Sequence, residues 1–159
     1  MRRLAEVPED LLSVDELKKL TGLEFMTGVM NGQIAAAPIA NLLDYDLVEV
    51  EEGRVVFAGV PGFRSYNPIG SVHGGWFGTL LDSCMACAVH TALPVGQGYT
   101  TLEYKINVIR PATIKTGLLR AVGTTLHVGR RTGVASGRIV DEAGKLYATG
   151  STTCMIFDL

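Results

Sequence analysis

Apolar and polar residues along this chain change period twice, and each change marks a new kind of element. In residues 1–40 the spacing is helical. Ser13 followed by Glu16 forms a capping box, and Leu17, Leu20, Leu23 and Met26 then recur on one face. This predicts one helix ending near Asn31-Gly32, a pair that favours positive φ, with residues 38–42 adding a short further turn. From Leu43 the period falls to two: Leu43, Tyr45 and Leu47 alternate with Asp44 and Asp46, and the run through residue 60 divides at Glu51-Glu52-Gly53, which predicts a hairpin. After a loop bounded by Pro61-Gly62 and Asn67-Pro68, residues 71–92 read as one long helix. That helix is apolar on nearly every face, through Trp76, Phe77, Leu80, Leu81, Met85, Ala86, Ala88 and Val89, so other structure must enclose it.

The remaining residues supply the enclosure. Leu102, Tyr104, Ile106 and Val108 alternate with Thr101, Glu103, Lys105 and Asn107. Three further apolar runs follow, separated by Gly129-Arg130-Arg131 and by 141–144. With the first hairpin this predicts about six long antiparallel strands, and the glycines between residues 122 and 150 suit a strongly curved sheet. The expected class is α+β, a sheet rolled around one helix, with 1–40 as an N-terminal helical extension and 41–159 as the main domain.

Composition narrows what such a domain does. A chain of 159 residues, 47% of them apolar, fills one core and little more. The formal charge of −2, with its cations scattered, gives no reason to expect nucleic acid. No stretch reaches the roughly 18 apolar residues of a membrane span, and Val7, Pro8, Glu9 and Asp10 interrupt any signal core behind Arg2 and Arg3. The expectation is a cytoplasmic protein with no membrane partner. Three cysteines are an odd number for a disulfide framework. Cys84 and Cys87 form a CxxC inside the helical pattern without the further ligands of a zinc site, so they read as core packing and no metal is expected.

Chemistry concentrates on the central helix. His73-Gly74-Gly75 opens it, where unpaired amides and the helix dipole favour negative charge developing on a carbonyl oxygen; a tight glycine entry needed only for packing reads equally from the dipeptide. Asp82 is the single carboxylate in this apolar helix. Burying an ionised carboxylate costs several kcal/mol, and burial raises its pKa toward that of a useful general base. Eight residues at about 1.5 Å each put Asp82 roughly 12 Å along the axis from Gly74. If both act on one atom, they come from different chains across a two-fold axis, which predicts a homodimer. Ser83 and His90 lie two turns apart and form no dyad, no G-x-S-x-G elbow occurs, and His90 and His127 read as structural or surface residues.

The segment Asn67-Pro68-Ile69-Gly70-Ser71-Val72-His73-Gly74-Gly75, followed after six residues by Asp82, resembles the N-x-x-G-x-x-H-G-G-(x)6-D signature of PaaI-like thioesterases, the phenylacetate-pathway type within the hotdog superfamily. Asn107-Val108-Ile109-Arg110-Pro111-Ala112 and Val128-Gly129-Arg130-Arg131 resemble further stretches of that family, so the likeness covers roughly residues 43–157. It implies a hotdog fold and acyl-CoA hydrolysis by a homodimer or a homotetramer built as a dimer of dimers. Within it Asp82 is the base or nucleophile, the Gly74 amide the carbonyl donor, and Asn67 and His73 polar residues of the same site. Thr101, or Thr100 beside it, is the hydroxyl that assists Asp82. Gly75, Gly129, Arg130 and Arg131 fall in substrate-binding positions, the last three either on the coenzyme A nucleotide or at a solvated hairpin tip. No cofactor is implied, since coenzyme A arrives as part of the substrate. The alternatives are a non-hydrolytic acyl-CoA binding module and a hotdog hydratase or dehydratase. The N-terminal helix lies outside the likeness, as a brace across the domain or a lid over an acyl pocket.

Overall fold

A row of three glycines explains how a sheet can close on the central helix. Gly123, Gly137 and Gly150 stand directly opposite one another on neighbouring strands. A side chain on Gly123 would lie 2.1 Å from the Cys84 carbonyl oxygen, and one on Gly137 would lie 2.7 Å from Met85 Cγ. The helix therefore rests almost on the sheet backbone, a distance only glycine permits. The computed structural model describes residues 3–159. Its six antiparallel strands are β1 (Tyr45–Glu51), β2 (Arg54–Gly59), β3 (Gln97–Val108), β4 (Leu119–Val128), β5 (Thr132–Asp141) and β6 (Leu146–Asp158). They run in the order β1-β2-β4-β5-β6-β3 and wrap α4 (Gly74–Thr91). This is the rolled α+β architecture of the hotdog fold.

Burial follows from that wrapping. Phe77, Leu80, Leu81, Met85 and Val89 of α4 are wholly buried, and each such side chain contributes about 1.5–3 kcal/mol of apolar transfer free energy. The Trp76 indole donates to the Leu43 carbonyl at 3.0 Å, tying the first turn of α4 to the start of the first hairpin. Cys84 and Cys154 are buried and all three cysteines are free thiols. Burial drives the Cys84 thiol far up and the Cys87 thiol to about 12, so both stay protonated and act as packing groups.

The N-terminal part departs from the single predicted helix. It forms two, α1 (Val14–Leu17) and α2 (Gly22–Met30), followed by α3 (Pro38–Leu42). The break comes from a second capping box: the Thr21 hydroxyl accepts from Glu24 N, and the Glu24 carboxylate accepts from Thr21 N. Gly22 then packs directly on the His90 carbonyl and donates its N–H to Leu93 O at 3.0 Å, docking α2 on the end of α4. The predicted end at Asn31-Gly32 stands, with Asn31 as cap and Gly32 at φ 75°. Likewise, α4 starts at Gly74 rather than Ser71, because Val72 pairs with Tyr66 and His73 takes the cap.

Strand β3 corrects the face assignment made from alternation. Its register with β6 shifts between Thr101 and Glu103, so Leu102 is an extra residue. Thr101 points inward before the bulge; after it, Tyr104 and Ile106 reach Gly78 of α4. Leu102, expected on the same face as Tyr104 and Ile106, is instead 57% exposed.

Candidate active site

Asp82 stands in the middle of α4 where the β3 bulge faces it. Its Oδ1 accepts a hydrogen bond from Thr101 Oγ1 at 2.9 Å, while the neighbouring Thr100 is exposed and lines the same cavity. The bulge is what makes this possible, since it gives Thr101 and Tyr104 a common inward face despite their odd separation. Burial raises the Asp82 carboxyl above the usual carboxylate range, and the Thr101 bond opposes part of that rise by stabilising the anion.

A cavity of about 530 Å³ opens at Asp82 and Thr101, walled by Leu17, Leu20, Phe25, His90, Tyr99 and Phe157 among others. His90 therefore belongs to the cavity wall, a placement that its lone position in the sequence did not reveal. It lies two turns beyond Asp82, and its ring sits 5.1 Å from that of Phe25 and 4.9 Å from that of Tyr99. Burial lowers its pKa to about 4, so at neutral pH it is an uncharged aromatic wall.

The helix entrance forms a second, separate group. His73 Nδ1 accepts from Gly75 N at 2.9 Å and caps the helix, which consumes the Gly75 amide. Among the described residues the Gly74 N–H has no acceptor, and His73, Gly74 and Gly75 are all exposed. Asn67 shapes the approach. Its Oδ1 accepts from Ile69 N at 3.1 Å and Ser71 N at 3.2 Å, and its amide donates to Ser71 Oγ at 3.0 Å. Backbone bonds from Val72 N to Ala112 O and from His73 N to Ser65 O hold the loop in place. Asn67 is thus held within its own loop, on the helix-entrance side. Within one chain Asn67, His73, Gly74 and Gly75 do not meet Asp82, Thr101 or their cavity.

Arg130 and Arg131 lie at the β4–β5 turn and line a groove of about 740 Å³ with Leu102, Thr132 and Met155. This groove shares Gln97 and Phe157 with the Asp82 cavity. Gly129 closes the turn instead, donating to Thr132 O at 2.8 Å. Among the described residues no three His, Cys, Asp or Glu side chains cluster as a metal site requires. No helix among them is long and apolar enough to cross a membrane.

An acid on an enclosed helix, a free amide at that helix's start and a sheet rolled around both describe a class of enzyme. The profile of the Thioesterase superfamily matches residues 69–148, and the chain belongs to that family, a family of thioester hydrolases. A curated relative, the 1,4-dihydroxy-2-naphthoyl-CoA hydrolase of Listeria monocytogenes, is 26% identical over 70% of this chain and 89% of its own length. Among solved structures, a phenylacetic acid degradation-related protein from Ralstonia eutropha JMP134 superposes with a TM-score of 0.74. It is 29% identical, over 82% of this chain and 98% of that one. A thioesterase-type protein from Streptococcus pneumoniae TIGR4, solved with coenzyme A, has a TM-score of 0.65 at 25% identity, over 72% of this chain and 87% of that one.

Proposed function

We propose that this chain hydrolyses acyl-CoA thioesters as a homodimer, or a dimer of such dimers, in which each site joins Asp82 of one subunit to the Gly74 amide of the other. The observation that carries this reading is the division of the machinery. A base with a raised pKa and an unused amide donor lie on one helix, roughly 12 Å apart by helical rise, too far to serve one carbonyl. Strand β3 offers the means of joining two chains. It ends the sheet order and, among the described residues, pairs with β6 alone, while Leu102 and Val108 stand exposed along it and Ile109 just beyond it. A twelve-residue edge with apolar side chains invites a second strand. Antiparallel pairing of two β3 edges sets two α4 helices antiparallel about a two-fold axis, start against middle. Phe63 and Ile69, 75% and 88% exposed on the loops by the helix entrance, suit the same contact.

In the reaction Asp82 takes a proton from water held at Thr101. The water oxygen bonds to the thioester carbon, and the Gly74 N–H stabilises the oxyanion. Collapse of that intermediate breaks the carbon–sulfur bond, leaving free acid and coenzyme A thiolate, which needs little assistance to depart. Arg130 and Arg131 supply cations for the coenzyme A phosphates, with Gln97 and Phe157 on the way from their groove to the acid. His73 holds the entrance in shape, and its bond to Gly75 leaves Gly74 as the donor. Free-thiol release from a panel of acyl-CoA substrates tests the reading. Asp82→Ala is expected to lower kcat by about a thousandfold with an unchanged circular-dichroism spectrum; near-normal turnover would remove Asp82 from the role of base.

A further inference from the structure

The groove at Arg130 and Arg131 and the cavity at Asp82 are followed by a third space, and the three stand in series. The last, of about 250 Å³, is bounded by α2, α3 and the first hairpin, with Met26, Val29, Ala36, Ala40, Leu47 and Phe57 in its walls. It shares Phe25 and Tyr99 with the Asp82 cavity, as that cavity shares Gln97 and Phe157 with the arginine groove. Polarity falls along the series, from a groove with two guanidinium groups and the Asp158 carboxylate, through the cavity at Asp82, to a space lined by alanines and larger apolar side chains whose polar members are the Tyr45–Ser83 hydroxyl pair, Cys87 and Tyr99.

An acyl-CoA changes character in the same order, from phosphates through thioester to hydrocarbon. Resting on the hydrolytic reading above, we infer that the third space receives the tail of an aliphatic acyl group, making the N-terminal extension the part of the enzyme that selects chain length. Small alanines from the segment before and within α3 leave the width of a flexible chain, and Phe25 and Tyr99, with the His90 ring against both, form the wall shared with the Asp82 cavity that the tail has to pass. A methylene group occupies about the volume of a water molecule, near 30 Å³, so the space holds a tail of roughly eight carbons. Most residues of this pocket lie before residue 69, where the family match begins, on α2, α3 and the first hairpin.

Filling the pocket tests the inference. Ala40→Leu narrows it from α3 and Val29→Phe narrows it from α2, so a folding defect in one leaves the other. Turnover of butyryl-, octanoyl- and phenylacetyl-CoA is compared by thiol release, and octanoyl-CoA binding to each variant is measured by calorimetry. The wild type is expected to prefer octanoyl- over butyryl-CoA by about tenfold or more in kcat/KM, and each variant to lose most of that ratio. An octanoyl-to-butyryl ratio unmoved in both variants overturns the inference, as does a wild-type preference for phenylacetyl- over octanoyl-CoA. If no thioester is cleaved, the hydrolytic reading fails by itself, and the calorimetry still decides the pocket: weaker octanoyl-CoA binding in both variants supports it, and unchanged binding refutes it.

Discussion

The two sides of α4 are built to opposite specifications. Toward the sheet, Leu81, Met85 and Val89 are wholly buried against Gly133, Gly137 and Gly150, and a methyl group added to any of those glycines would meet them at 2.4 to 3.2 Å. Toward β3 and the N-terminal extension, the same helix presents Asp82, Ser83, Cys87 and His90 to cavities of about 530 and 250 Å³. One side fixes the helix by contact, and the other leaves room for a ligand. A carboxylate can be kept half-buried beside a cavity on one face because the opposite face is immobilised by packing.

Breaking the packed side has the largest consequence. Gly123→Ala sets a methyl 2.1 Å from a helix carbonyl oxygen, and neither backbone can withdraw without moving the helix or the sheet. We expect a loss of about 3 kcal/mol or more, roughly 10 °C in melting temperature, whereas Ser83→Ala on the open side costs about 1 kcal/mol. Equal losses in thermal denaturation would erase the distinction between the two sides.

Next in size is the hydroxyl that serves the acid. Thr101→Val removes the 2.9 Å bond to Asp82 and is expected to lower kcat/KM by about tenfold at neutral pH, while Thr100→Val stays within about twofold. The pH profile sharpens this. Under the proposed mechanism activity requires the Asp82 anion, whose pKa burial has raised, so activity is expected to fall on the acidic side through a pKa above the ordinary carboxylate value. Thr101→Val, by removing a bond that favours the anion, moves that limb further upward. A limb unmoved in the variant would separate Asp82 from the observed titration.

The smallest effect concerns His90, held between Phe25 and Tyr99 with its pKa lowered to about 4 from an ordinary 6.5. A lowered folded-state pKa gives stability that is complete above pH 6.5 and is lost as pH falls toward 4, because the unfolded chain takes the proton first. The loss is on the order of 1 kcal/mol by pH 6. His90→Phe should flatten this dependence in urea unfolding followed across pH.

Much of this molecule was legible in its residues because the signals were local. The first hairpin, the enclosed helix and the curved sheet followed from period and glycine content, and Asp82 stood out as one carboxylate among apolar residues. Three features were not legible, each for a tertiary reason. The β3 bulge breaks no local rule, so alternation alone placed Leu102 on the wrong face. The gap between α1 and α2 follows from Thr21 and Glu24 capping α2 and from Gly22 meeting the end of α4; only the cap has a sequence signature, and the leucine spacing ran across it. His90 enters the cavity wall through rings from α2 and β3, a meeting that sequence spacing does not encode.

The proposed site needs a base on one subunit and an amide on the other, and mixed dimers test it. Proline at position 74 removes the N–H at the first helical position, where proline is well accommodated and a side chain meets nothing within 4 Å. Gly74→Pro and Asp82→Asn homodimers are each expected to lose about a hundredfold or more in kcat. Refolding the two together at equal amounts should restore about a quarter of wild-type activity, since half the dimers are mixed and each carries one site with both groups intact. Activity no higher than that of the two inactive homodimers, in a mixture shown to contain heterodimers, would contradict the shared site.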